Sequence, residues 1–153
     1  MNQQAIEILE NQRLELEKLY RALGSAQDHL DRGHPSPEEQ KKIMAVLSEK
    51  QRLLAELEKQ YKNHLQTLRY TDPATMTAWV NQHLAVIEAI INDSQNAKPP
   101  LTEKDLKVRL HVARKTTDEW QQVLAGTRDY VHINDSFMPD YGQRLQDGRQ
   151  RKI

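Results

Sequence analysis

Residues Gln3 to Asp31 read QQAIEILENQRLELEKLYRALGSAQDHLD. Leu9, Leu16, Leu23 and Leu30 recur every seven residues, and Ala5, Gln12, Leu19 and Ala26 form a second row beside them. Seven residues make nearly two helical turns, so both rows fall on one face and mark a coiled-coil stripe along a single helix. Acid-first pairs such as Glu17 with Arg21 support the exposed side. Gly33 and Pro35 end the pattern.

The next stretch repeats this logic. Ser36-Pro37-Glu38-Glu39 is a capping box with proline at the first helical position. Ile43, Lys50, Leu57 and His64 make one row of the helix that follows, and Leu47, Leu54, Tyr61 and Leu68 the other. The loop between the two helices is short, which turns the second back antiparallel to the first. The sequence therefore predicts a hairpin of helices 3–31 and 37–69, with the leucine row of the first facing Leu47, Leu54, Tyr61 and Leu68.

Asp72-Pro73 signals a third helix, over 73–94, with Met76, Trp79, Val80, His83, Ile87, Ile90 and Ile91 on one face. Lys98-Pro99-Pro100 is a break, because proline cannot donate within a helix and restricts the residue before it. Thr102, with Asp105 three residues on, opens a fourth helix over 103–125, whose apolar face carries Leu106, Leu110, Ala113, Thr117, Trp120 and Leu124. The fold class this implies is all-α: an antiparallel helical hairpin extended to a three- or four-helix bundle or coiled coil over residues 1–133. Residues 134–153 show no helical period and contain Pro139, Gly142 and Gly148, so they read as a flexible C-terminal tail.

The chain has 153 residues, 22 basic and 22 acidic, so net charge gives no reason to expect a nucleic acid or an anionic membrane as partner. The leucine heptads have no basic helix ahead of them, unlike a DNA-binding leucine zipper. No stretch is apolar enough to insert in a membrane. Met1-Asn2-Gln3-Gln4 resembles no signal peptide, and cysteine is absent, so the expectation is a cytoplasmic protein.

Catalytic chemistry finds no foothold. His29, His34, His64, His83, His111 and His132 form no His-Glu-x-x-His pattern, so no metal site is expected, and they read as surface or seam histidines. None of the serines sits on a nucleophile elbow, and no glycine-rich phosphate loop is present. The expectation is a non-catalytic binding protein without a cofactor. Its candidate partner-binding residues are Trp79, Ile87, Ile91, Trp120 and Leu124 on the third and fourth helices, with Phe137 and Tyr141 in the tail. Helical spacing alone also fits core roles for the two tryptophans. The tail end carries Arg144, Arg149, Arg151 and Lys152 against Asp147, a basic surplus suited to an acidic surface.

Leu19-Tyr20-Arg21-Ala22-Leu23 through Leu30, a polar turn, and Leu47-Ser48-Glu49-Lys50-Gln51-Arg52-Leu53-Leu54-Ala55-Glu56-Leu57-Glu58 follow an order that resembles the FlgN-type flagellar export chaperones. Tyr141-Gly142-Gln143, with Gly148 and a basic end, is similar to the Tyr-Gly tail of enterobacterial members. The resemblance covers residues 19–70 and the tail. It implies a cytoplasmic type III secretion chaperone that holds a helical segment of a hook-associated or similar export client, with Tyr141 contacting an export-gate component. The alternative from the residues themselves is a coiled-coil homodimer acting as an adaptor, or a phage- or plasmid-borne assembly protein.

Overall fold

The computed structural model describes residues 2–151, with side chains described from Asn2 to Gly148. It has five helices, α1 (Gln3–Arg32), α2 (Pro37–Thr71), α3 (Pro73–Gln95), α4 (Glu103–Ala125) and α5 (Tyr141–Arg151), and no strand among the described residues. The all-α class is as the heptads and caps predict. The chain divides into two units, one of residues 2–71 and one from Asp72 onward.

The first unit is the hairpin of α1 and α2. Asn2 caps α1, its Oδ1 accepting the Ala5 N–H at 3.1 Å. The helix stops at Gly33, where a Cβ would sit 2.7 Å from the His29 carbonyl oxygen, so only glycine fits this close approach. His34 then takes a left-handed φ of 48°. Ser36 Oγ accepts the Glu39 N–H at 3.3 Å to start α2. With 35 residues, α2 reaches about 50 Å at the usual helical rise.

Two cross-hairpin contacts set the register: Tyr20 donates to Glu58 at 2.5 Å, and His64 Nδ1 meets Gln12 Oε1 at 3.2 Å. That register brings Leu9 level with Leu68, Leu16 with Tyr61, Leu23 with Leu54 and Leu30 with Leu47. Burial along this ladder is uneven: Leu9, Leu16, Tyr61, Leu65 and Leu68 are buried, Leu23, Leu30 and Leu54 are half-buried, and Leu47, on the rung nearest the connecting loop, is buried again.

The second unit packs α3 against both α4 and α5. Asp72 caps α3, accepting the Thr75 N–H at 3.2 Å and its hydroxyl at 2.6 Å. Thr102 caps α4 through the Asp105 N–H at 3.1 Å. Gly126 closes α4 with a left-handed φ of 87°, the conformation that glycine adopts without a Cβ clash. Residues 127–140 are irregular but not loose: Val131, Ile133 and Met138 are buried.

The C-terminal stretch departs from the expected flexible tail. Tyr141–Arg151 is helical, with Tyr141 and Leu145 buried and Arg144 bonded to Asp93 of α3 at 2.7 Å. Tyr141 and Leu145, four apart, supply one apolar edge, and docking that edge on α3 offsets the poor helix propensity of Gly142 and Gly148. The side chains of Arg149, Arg151 and Lys152, part of the basic end, lie outside the described residues.

Candidate functional site

Three of the sequence-predicted partner residues meet in one place, and that place is internal. Trp79 of α3 and Trp120 of α4 stand edge to face, with centroids 5.1 Å apart and planes at 89°. His83, one turn after Trp79, stacks on Trp120 at 3.9 Å and 16°. Tyr141 of α5 stacks against His83 at 5.7 Å, and its hydroxyl is hydrogen-bonded to His83 Nδ1 at 2.9 Å. Trp79, His83 and Trp120 are all 0% exposed and Tyr141 is 3% exposed.

These rings are core, not surface. Offset and edge-on aromatic pairs gain about 0.5–1.5 kcal/mol beyond their area burial, and the cluster joins all three helices of the unit. An imidazole beside a phenol can exchange a proton, but at these exposures no substrate reaches the pair. The Trp120 indole N–H is buried with no hydrogen-bond acceptor, which costs about 1–3 kcal/mol and marks the one ill-matched polar group in the cluster. Of the other predicted residues, Ile87 is buried, Ile91 and Phe137 are half-buried, and Leu124 is 37% exposed. The structure thus joins Trp79, Trp120 and Tyr141 and gathers no partner-facing patch from the set. His83 is the ring that links them, and its only sequence signal is its place in the α3 apolar stripe.

A second buried polar group lies in the hairpin. Arg13 donates through Nε to Glu10 Oε1 at 2.7 Å and through Nη1 to Glu17 Oε1 at 3.5 Å, all three residues being at most 4% exposed. Arg21 approaches Glu17 from the exposed side at 3.8 Å. Buried carboxylates need such pairing, since an isolated one is strongly disfavoured away from water. Among the described residues, no group of three or more His, Asp or Glu side chains is placed to hold a metal ion.

Exposed apolar side chains lie at both ends of the hairpin: Ile8 and Leu14 of α1 and Tyr70 of α2, 37%, 40% and 90% exposed, toward the open end, and three residues of α2 nearer the loop. Met44, Val46 and Leu53 of α2 are 59%, 48% and 40% exposed. Beside Val46 is a shallow cleft of about 200 Å³ between the two helices, lined by Ala26, His29, Lys42, Ile43 and Val46. Among the described residues no helix is long and apolar enough to cross a membrane. No protein-family model matches the chain, and neither a curated protein nor a solved structure matches it.

Proposed function

We propose that this protein is a non-catalytic, cytoplasmic helical binding protein that takes an amphipathic helix of a protein partner on the loop-proximal half of its α1–α2 hairpin. The observation that carries this reading is the partly open seam: Leu47 is buried, but Leu23, Leu30 and Leu54 stay half-buried while Met44, Val46 and Leu53 are exposed. Two helices alone cover only one side of a leucine stripe, and a third helix laid along it would bury the rest. The sequence resemblance supplies the class of partner, a helical segment of a hook-associated or similar export client, making the protein a type III export chaperone. In this reading the client surface is the hairpin, since Trp79, Ile87 and Trp120 are enclosed in the other unit. Tyr141 serves an export gate only when α5 undocks.

The test is a titration of the full chain with a hook-associated export substrate, followed by light scattering and tryptophan fluorescence. Hairpin binding gives a 1:1 complex, at least a tenfold affinity loss in Leu53→Glu, and unchanged emission, because both tryptophans are buried in the core of the other unit. A complex that shifts the emission and ignores Leu53→Glu would place the client on α3 and α4 and overturn the hairpin reading. No complex at all would remove the chaperone reading. The coiled-coil adaptor is the second reading, and the charge order along α2 favours it.

A further inference from the structure

We infer that the exposed flank of α2 is a self-complementary interface that pairs antiparallel with a second copy of this chain. The inference rests on the hairpin being an interaction surface but not on the export-client reading. At 100° per residue, Lys42, Val46, Glu49, Leu53 and Glu56 fall within an arc of about 80° on α2. The flank therefore reads basic, apolar, acidic, apolar, acidic along its length.

An antiparallel copy related by a two-fold axis near Glu49 sets each Val46 opposite Leu53 of the other copy, twice over. The same register sets each Lys42 within one residue, about 1.5 Å along the axis, of Glu56 of the other copy. Opposite charges and apolar groups thus match at both ends of one isologous contact. Near the axis, where the two Glu49 carboxylates approach, each is already bound by its own Arg52 at 2.6 Å. Arg52 holds Glu56 more loosely, at 3.5 Å, leaving it open to a second cation.

The shape agrees with the charge. The cleft lined by Ala26, His29, Ile43, Lys42 and Val46 adjoins the spot where Leu53 of the other copy falls. An exposed leucine facing a cleft of about 200 Å³ beside its counterpart is a knob facing a hole. An overlap of about 25 residues runs about 37 Å, and one helix flank spans about 10 Å, so each copy offers about 370 Å². Stable interfaces bury about 800 Å² per partner, which makes this contact a weak, reversible dimer.

Sedimentation equilibrium of the full chain from about 1 to 200 µM tests the inference. A dimer is expected, weakened at least tenfold by Leu53→Glu and by Lys42→Glu. Adding Glu56→Lys to Lys42→Glu inverts the pair in both copies and restores association. These positions are exposed, so circular dichroism should show each variant folded. The chain has no cysteine, so mixing Val46→Cys with Leu53→Cys under mild oxidation reports the register directly: mixed 46–53 crosslinks are expected over 46–46 or 53–53. A monomer throughout the range, a dimer indifferent to Lys42→Glu, or a 46–46 preference overturns the inference. A monomer that still binds the export substrate defeats only the dimer, and a dimer that binds none defeats only the export reading.

Discussion

The Tyr141 hydroxyl and Nδ1 of His83 are hydrogen-bonded at 2.9 Å, with both residues buried, and this contact ties the last helix of the chain to α3. It turns a stretch with two glycines and weak helix propensity into a docked element. Because the ring also stacks on His83, the phenol contributes packing as well as a polar bond.

The two contributions separate by substitution. Tyr141→Phe keeps the ring and removes the hydroxyl, and should cost about 1 kcal/mol in urea-unfolding free energy. Tyr141→Ala opens a cavity beside His83 and should cost about 3–5 kcal/mol. Deleting residues 134–153 should be worse than either, since Met138 and Leu145 leave with Tyr141. If all three variants unfold with the wild-type midpoint, α5 is not docked in solution.

The heptads and caps made the all-α fold legible, because leucine spacing and Ser36, Asp72 and Thr102 each act locally and need no tertiary knowledge. The docking of the C-terminal stretch was not legible. Pro139, Gly142 and Gly148 suppress the helical signal, and the Tyr141–Leu145 spacing acquires meaning only once α3 offers a face. The two tryptophans show the same limit from the other side: helical spacing places Trp79 and Trp120 on apolar stripes but leaves open whether the stripe meets a partner or its own core. Glu10, Arg13 and Glu17 look like solvent residues in the sequence. Only their three- and four-residue spacing, beside the leucine row, hints that one guanidinium serves two carboxylates.

That triad makes Arg13 a sensitive position. Arg13→Met fills similar space but takes the Arg13 guanidinium from the buried Glu10 carboxylate and leaves Glu17 with Arg21 at 3.8 Å. Removing one member of a buried ionic group typically costs about 3–5 kcal/mol, and chemical denaturation should show a loss of that size. Lys18 and Glu15, paired at 3.3 Å but more than half exposed, provide the control: Lys18→Met should change stability by less than about 1 kcal/mol. Equal effects at the two positions would mean that Arg13 is hydrated in solution.

The hydrogen bonds of Asp72 and Tyr20 give the two units opposite pH responses. Bonds from the Thr75 hydroxyl and N–H hold the Asp72 carboxyl below its ordinary range. Its contribution to α3 is therefore full above the unfolded carboxyl pKa, about 4, and is lost as pH falls through the depressed value. Burial, then the bond to Glu58, pushes the Tyr20 phenol up. Its contribution to the hairpin is full below the unfolded phenol pKa, about 10, and fades as pH rises beyond it. Thermal melts of Asp72→Asn should lose part of the acid-side decline, and those of Tyr20→Phe part of the alkaline-side decline. Unaltered pH profiles in both variants would show that these bonds do not govern stability.

Burial along the leucine row of α1 predicts a gradient in the cost of inserting a charge. Leu16 is 1% exposed and level with buried Tyr61, so Leu16→Asp places a carboxylate away from water, one turn from an Arg13 already held by Glu10 and Glu17, costing several kcal/mol, about 3–5 by analogy with unpaired buried charges. Leu30 is half-buried near the loop, where an aspartate side chain can turn to solvent, and the same change there should cost only about 1 kcal/mol in the monomer. Concentration sharpens the comparison. If a second copy covers the loop-proximal half, the penalty at Leu30 should grow with protein concentration, because the wild type gains stability by mass action and the variant does not. The penalty at Leu16 should stay constant. Melting temperatures of wild type, Leu16→Asp and Leu30→Asp, taken at about 2 µM and about 200 µM, measure both effects. Equal penalties at the two sites would mean that the hairpin seam is closed along its whole length, removing the open surface on which the proposed binding depends.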